Sequence, residues 1–176
     1  MNITHNKERR KVVFLGDSGA GKTSIIQKKI KDKYQEHQTS TIGAAFTTYH
    51  RGNTVLDIWD TAGQERYRSL APMYYRGSNC AVIVFDLAKL KKNKNAILNV
   101  KSWVSTMKEA EIPYIIIGNK IDQFTKTIND RHFETYSDIN KIEYISNKYD
   151  IYFTFFLTSA KTGHHIDHLF DQVIME

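Results

Sequence analysis

The chain has 176 residues, 41% apolar and 12% aromatic, the composition of one globular domain with room for a core and not of a disordered chain. Its longest apolar runs, such as 81–85, are far too short to span a bilayer, the basic start lacks a signal-peptide core, and Gly does not follow Met1 as myristoylation requires. The formal charge of +6 does not make it a nucleic-acid binder: the lysines of KKIKDK (28–33) and KLKKNK (89–94) lack interleaved aromatics, so each run reads as a solvated face with weak attraction to anionic lipid. A single cysteine, Cys80, excludes a disulfide framework and suits a reducing cytosol.

In chain order, an apolar strand over 11–15 leads into a glycine-rich loop and a helix over 22–33. Strands over 44–50 and 54–59 follow, joined by Arg51-Gly52-Asn53, a link too short for a crossover, so the pair should be an antiparallel hairpin. Next come a strand over 80–86, a helix near 95–110 and a strand over 113–118. The polar stretch 123–137 reads as a surface loop leading into a helix near 132–148, then a strand over 151–157 and a helix over 164–175. Strand–helix alternation with continuous apolar strands predicts one α/β domain over 1–176: a six-stranded, mostly parallel sheet with one antiparallel hairpin strand and helices on both faces.

GDSGAGKTS (16–24) follows the first strand and opens the first helix, matching G-x-x-x-x-G-K-[ST] in its required context. The backbone N–H groups along Ser18, Gly19, Ala20, Gly21, Lys22, Thr23 and Ser24 can turn inward around a phosphate, which bulkier side chains would obstruct, and the helix N-terminus adds its dipole. Lys22 would bridge the β- and γ-phosphates, and the Thr23 hydroxyl would hold Mg²⁺. This predicts a P-loop nucleotide site.

The base is read from Asn119-Lys120-Ile121-Asp122, at the carboxyl end of a strand. A carboxylate at Asp122 accepts two hydrogen bonds from guanine, at N1–H and the 2-amino group, whereas adenine offers an acceptor and no amino group there. Such a site rejects the wrong base by about 10⁴ to 10⁵. Lys120 can lay its stem over the ring, and Asn119 can tie the segment to the phosphate loop. Thr158-Ser159-Ala160-Lys161 follows the last strand, and its small residues allow a backbone N–H to approach the guanine O6.

Asp60-Thr-Ala-Gly63-Gln64-Glu65 follows the third strand. Asp60 can hold Mg²⁺ through water, Gly63 can present its N–H to a γ-phosphate, and Gln64 is placed to orient an attacking water. Thr41 supplies a second hydroxyl that completes the Mg²⁺ shell only when the γ-phosphate is present. The expected catalytic set is therefore Lys22, Thr41 and Gln64. These residues predict GTP hydrolysis, and two other classes compete with that reading. A nucleotide-locked scaffold is disfavoured because no catalytic position is vacated; a P-loop ATPase or nucleoside kinase is disfavoured by Asn119–Asp122.

Taken together, GDSGAGKTS, STIGAAF, WDTAGQERYRSLAPMYYRG, GNKID and TSAKT resemble a Ras-superfamily small GTPase, specifically a Rab, and most of all its early-endosomal branch. The resemblance covers essentially the whole chain. It implies that Tyr34 packs edge-on against guanine and that Phe46, Trp59 and Tyr75 form an aromatic triad read by effectors. It further implies a monomer whose two loops close on GTP and open after hydrolysis, served by an exchange factor, an activating protein and a GDP dissociation inhibitor. The expected location is cytoplasmic, peripheral on the cytosolic face of endosomal or vesicle membranes.

Some features depart from the family pattern. The hairpin between Phe46 and Trp59 is shorter than usual, and the segments 86–103 and 122–159 are longer. Rabs carry a variable tail with prenylated cysteines, and this sequence stops at Glu176, so the expectation is that the tail is missing from it and that membrane attachment would depend on that tail. His164, His165, Asp167 and His168 cluster near the end. His164 and His168 at i and i+4 have a metal-ligand spacing on a helix, but polar residues around a helix start are the plainer reading, and the family resembled has no metal site there.

Overall fold

The computed structural model describes residues 7–90, 92, 95–127, 132, 136–149, 151 and 153–176. Part of the KLKKNK run and most of the stretch 128–135 lie outside the described residues. Six strands form one sheet: β1 (Glu8–Leu15), β2 (Ala44–Arg51), β3 (Thr54–Thr61), β4 (Cys80–Asp86), β5 (Tyr114–Asn119) and β6 (Phe156–Leu157). The helices are α1 (Lys22–Lys31), α2 (Ala71–Tyr75), α3 (Asn95–Glu109), α4 (Ile121–Thr127), α5 (Asp138–Tyr149) and α6 (Ile166–Met175), with 3-10 turns at Glu65–Leu70 and Leu87–Lys89.

The spatial order is β2-β3-β1-β4-β5-β6, with only the β2–β3 pair antiparallel among these neighbours. Both faces of the central strands are buried, which is why their sequences are continuously apolar. Val12 and Phe14 of β1 point to one face with Ile58, Val82 and Ile117, where α1 (Ile25, Ile26) and α6 (Leu169, Phe170, Val173) cover them. Val13 and Leu15 point to the other face with Ile83, Phe85 and Ile116, covered by α3 (Val100, Trp103, Met107), α4 (Phe124) and α5 (Ile145). Each such side chain contributes about 1.5–3 kcal/mol by leaving water. The chain leaves β1 toward one edge of the sheet and leaves β4 toward the other, so their carboxyl ends flank a crevice, the place where open α/β sheets bind ligands.

Several boundaries differ from the sequence reading, β1 beginning three residues before position 11 and α6 two residues after position 164. The hairpin turn is the two-residue Gly52-Asn53, with Arg51 already paired to Thr54 and Gly52 at φ +56°. α1 stops at Lys31 because Asp32 turns left-handed at φ +49°. The run 151–157 pairs with β5 only through Phe156 and Leu157. Its start is consumed in closing α5, where the Ile151 N–H bonds the Ser146 carbonyl at 3.0 Å, and Phe153 and Phe155 are apolar because their rings pack on Phe85 at 6.3 and 5.5 Å. Finally, part of the expected surface loop 123–137 is helix α4. Ile121 and Phe124, three apart, both bury against the sheet, a helical spacing hidden by the polar residues around them.

Candidate functional site

The phosphate loop leaves β1 at Leu15 and runs to the first turn of α1. Glycine is required at two points by close backbone approach. A Cβ on Gly16 would stand 2.0 Å from the Val84 carbonyl oxygen, and one on Gly21 would stand 2.2 Å from Asn119 Nδ2. Lys22, 5% exposed, donates from Nζ to the carbonyl oxygens of Gly16 at 2.8 Å and Asp17 at 3.0 Å. Burial brings its pKa down to about 8, against the opposing charges of Asp60 and Asp17. A buried ammonium facing carbonyls and N–H groups at a helix start is a receptor for an anion, whose charge would hold the proton on.

Three oxygens from three segments converge beside it. Thr23 Oγ1 donates to Asp60 Oδ2 at 2.6 Å, and Thr41 Oγ1 lies 3.0 Å from Thr23 Oγ1 and 3.4 Å from Asp60 Oδ2. Asp60 is buried, and its other oxygen, Oδ1, has no hydrogen-bond partner. Burial pushes its pKa up, opposed by the Thr23 hydrogen bond, the Lys22 charge and the Thr41 hydrogen bond. A hard, all-oxygen donor set with an orphaned buried carboxylate oxygen fits Mg²⁺.

The other end of the cleft is built from the carboxyl end of β5 and the loop after β6. Asn119, 1% exposed, donates from Nδ2 to the Ala20 carbonyl at 2.9 Å, while its Oδ1 accepts from Thr158 Oγ1 at 3.2 Å and the Ala160 N–H at 3.3 Å. Lys120 sits at φ +66°, a left-handed conformation that costs a side-chain-bearing residue roughly 1–2 kcal/mol. That turn sends Nζ back to the Gly19 carbonyl at 2.7 Å and to Asp86 Oδ2 at 2.8 Å. Ser159 Oγ donates to Asp122 Oδ1 at 2.6 Å, orienting the carboxylate toward the cleft.

Most of the residues expected from sequence line one cleft: Ser18, Gly19, Gly21, Lys22, Thr23, Ser24, Tyr34, Thr41, Gly63, Asn119, Lys120, Asp122, Ala160 and Lys161. Ala20, Ser159 and Asp60 are buried behind that lining and hold it. Lys161 Nζ lies 6.0 Å from the centroid of the Tyr34 ring and 3.5 Å from Glu36, linking the loop after β6 to the 32–43 segment. Gln64 stands apart, in a neighbouring recess with Tyr67 and Trp103 at the head of the 3-10 turn.

The aromatic triad needs one correction. Phe46 and Trp59 are 5.3 Å apart between ring centroids, but the tyrosine ring packed on Trp59, at 5.7 Å, is Tyr74 and not Tyr75. Both tyrosines lie on α2, where one residue means a rotation of about 100°, so only one of two neighbours can face Trp59.

Sequence reasoning passed over two supports. Asp86, 6% exposed at the end of β4, pairs with Lys120 and caps the Ala88 N–H at 2.9 Å. Asn99 of α3 donates to both carboxylate oxygens of Asp17 at 3.1 Å. An aspartate ending an apolar strand was the available signal for the first; nothing local marks the second, which spans 82 positions.

Residues 11–176 match the Ras family. The chain is 38% identical over 175 residues to the GTP-binding protein ypt5 of Schizosaccharomyces pombe, an alignment covering 93% of this chain and 75% of that protein.

Proposed function

This chain belongs to the Ras family and is a Rab-type small GTPase, a GTP-hydrolysing switch of vesicle traffic, and on that premise we propose how its residues divide the work. Lys22 and the N–H groups of 18–24 bind the phosphates, Asp122 with Asn119, Lys120, Ser159, Ala160 and Lys161 selects guanine, and Tyr34 flanks the base. Thr23, Thr41 and Asp60 would hold Mg²⁺, which supplies charge neutralisation on the β- and γ-phosphate oxygens when bound. The supporting observation is the meeting of Thr23 and Thr41 at 3.0 Å, because Thr41 belongs to the 32–43 segment and reaches the phosphate end only when that segment is closed.

Closure makes the switch. Thr41 and Gly63 hold two segments against the phosphate loop while the γ-phosphate is present and release them after its loss. Gln64 would swing from its recess to orient the attacking water. The segment 32–43 contains no arginine, so it offers no arginine finger of its own to the transition state, and hydrolysis would be slow until an activating protein supplies one in trans. Phe46, Trp59 and Tyr74, with exposed Ile42 and Met73 nearby in sequence, would present the state-dependent surface to effectors.

Among the described residues no helix is long and apolar enough to cross a membrane, and we assign attachment to endosomal membranes to a prenylated tail. Exchange factor, effectors and GDP dissociation inhibitor are the remaining partners of this reading. The deciding experiment compares GDP with ADP binding and follows single-turnover GTP hydrolysis with and without a Rab-activating protein. Preference for GDP, a slow basal rate and strong stimulation are expected; turnover within a minute by the chain alone, or equal binding of ADP, would overturn it.

A further inference from the structure

His164 and His168 do not form the i, i+4 pair that their spacing permits, because α6 begins only at Ile166. His164 instead meets its neighbour. His165 takes the left-handed conformation, φ +53°, and this lays its ring on that of His164 with centroids 4.0 Å apart. Consecutive side chains on ordinary backbone diverge, so the stacking depends on a conformation that costs about 1–2 kcal/mol.

Both imidazoles face one carboxylate, that of Asp138 in the first turn of α5. His164 Nε2 lies 2.8 Å and His165 Nδ1 3.4 Å from the same oxygen, Oδ2. The three ligand atoms all fall within 4.8 Å of one another. A tetrahedral ion bound at about 2.0–2.1 Å to each ligand holds its ligands roughly 3.3–3.4 Å apart, and the two observed separations bracket that value. His165 Nδ1 is shared between the Leu157 carbonyl and the Asp138 carboxylate, so a left-handed backbone brings a second imidazole nitrogen beside an oxygen that His164 already meets.

We propose that Asp138, His164 and His165 bind a divalent transition-metal ion, zinc above all. Two imidazole nitrogens and one carboxylate oxygen suit zinc or cobalt and do not suit Mg²⁺ or Ca²⁺, which take oxygen. Three protein ligands leave one position for water. The side chains of Asp138, His164 and His165 are 26%, 35% and 41% exposed, so an ion can enter from solvent. The ion would replace the hydrogen bonds now made by these nitrogens, including the one between His165 Nδ1 and the Leu157 carbonyl at 3.2 Å. Lys141 Nζ, 3.6 Å from the other Asp138 oxygen, opposes the added charge and sets the affinity lower than the ligands alone would give.

The site braces the base loop. The Ser159 N–H donates to the His164 carbonyl at 3.1 Å, and Ser159 Oγ holds Asp122. A bound ion would fix His164 to α5 and slow guanine nucleotide release. This second consequence rests on the nucleotide reading above, whereas metal uptake does not.

The test uses the untagged, GDP-loaded chain in excess Mg²⁺, which occupies the Thr23–Asp60 site. Co²⁺ is titrated and read by the visible absorption of tetrahedral cobalt, then displaced with Zn²⁺. One ion per chain is expected, with affinity about 100-fold weaker in Asp138→Asn and His164→Gln, and tighter in Lys141→Met. Retained GDP and an unchanged circular dichroism spectrum check that each variant is folded. Uptake equal in wild type and both ligand variants, or Co²⁺ that stays octahedral, overturns the site; the Lys141→Met result stands even if a ligand variant fails to fold. Zn²⁺ is expected to slow release of a fluorescent GDP analogue from wild type and not from Asp138→Asn. An unchanged release rate with bound metal overturns the bracing role.

Discussion

Asn119 donates to the carbonyl oxygen of Ala20 at 2.9 Å, joining the carboxyl end of β5 to the glycine-rich loop across 99 positions of sequence. Every polar atom of its amide group that binds there is buried and matched to a partner in another loop: Ala20, Thr158 and Ala160. Its neighbour Lys120 adds a second link, from Nζ to the Gly19 carbonyl at 2.7 Å, so two adjacent side chains set the distance between the ends of the cleft.

Asn119→Ala should break that link twice over. It removes the partner of the Ala20 carbonyl, of the Ala160 N–H and of the Thr158 hydroxyl, each buried orphan costing about 1–3 kcal/mol. The expected outcome is a lower melting temperature and GDP release faster by about 100-fold, measured by displacement of a fluorescent GDP analogue.

Asp122→Asn should change the base that is preferred. The carboxylate accepts from two donors of guanine, whereas an amide accepts one bond and donates the other, the complement of a base with an oxygen at C2. GTP affinity should fall by about 10⁴-fold, with xanthosine triphosphate rising past it in competition binding. Unchanged discrimination would remove Asp122 from the base site.

Gly63→Ala should interfere with closure. A Cβ there would lie 2.4 Å from the Ser18 nitrogen and from the Asp17 carbonyl carbon, both backbone atoms of the phosphate loop that have little room to yield. The second segment would be held away from the loop. GDP binding should survive while the GTP-loaded chain loses effector capture, which a pulldown with each nucleotide measures.

Cys80 reports on the core. Its side chain is fully buried at the start of β4, and burial, with the Glu176 charge adding, pushes its pKa up from 9.0 to about 12. Maleimide labelling at neutral pH should therefore follow global unfolding and not local motion. Because the unfolded thiol ionises first, the thiol's contribution to native stability should decline as pH rises from about 9 toward 12. Chemical denaturation of wild type against Cys80→Ala isolates this slope, which should be absent from the variant.

Contiguous patterns were legible in the chain itself. Strands buried on both faces must be apolar throughout, a loop whose backbone is closely approached must be glycine-rich, and polar residues that follow apolar strands gather at one edge of the sheet, so the α/β architecture and most of the cleft lining could be read from local chemistry. What the linear pattern did not decide depends on long-range geometry. The ring facing Trp59 is Tyr74 because of the rotation of one short helix, and α4 exists because Ile121 and Phe124 find the sheet. Asp17 is held by Asn99, and Asp138 meets two histidines only when α5 and the loop after β6 pack side by side. Side-chain direction and pairings between distant segments are set by packing, which no short stretch of sequence contains.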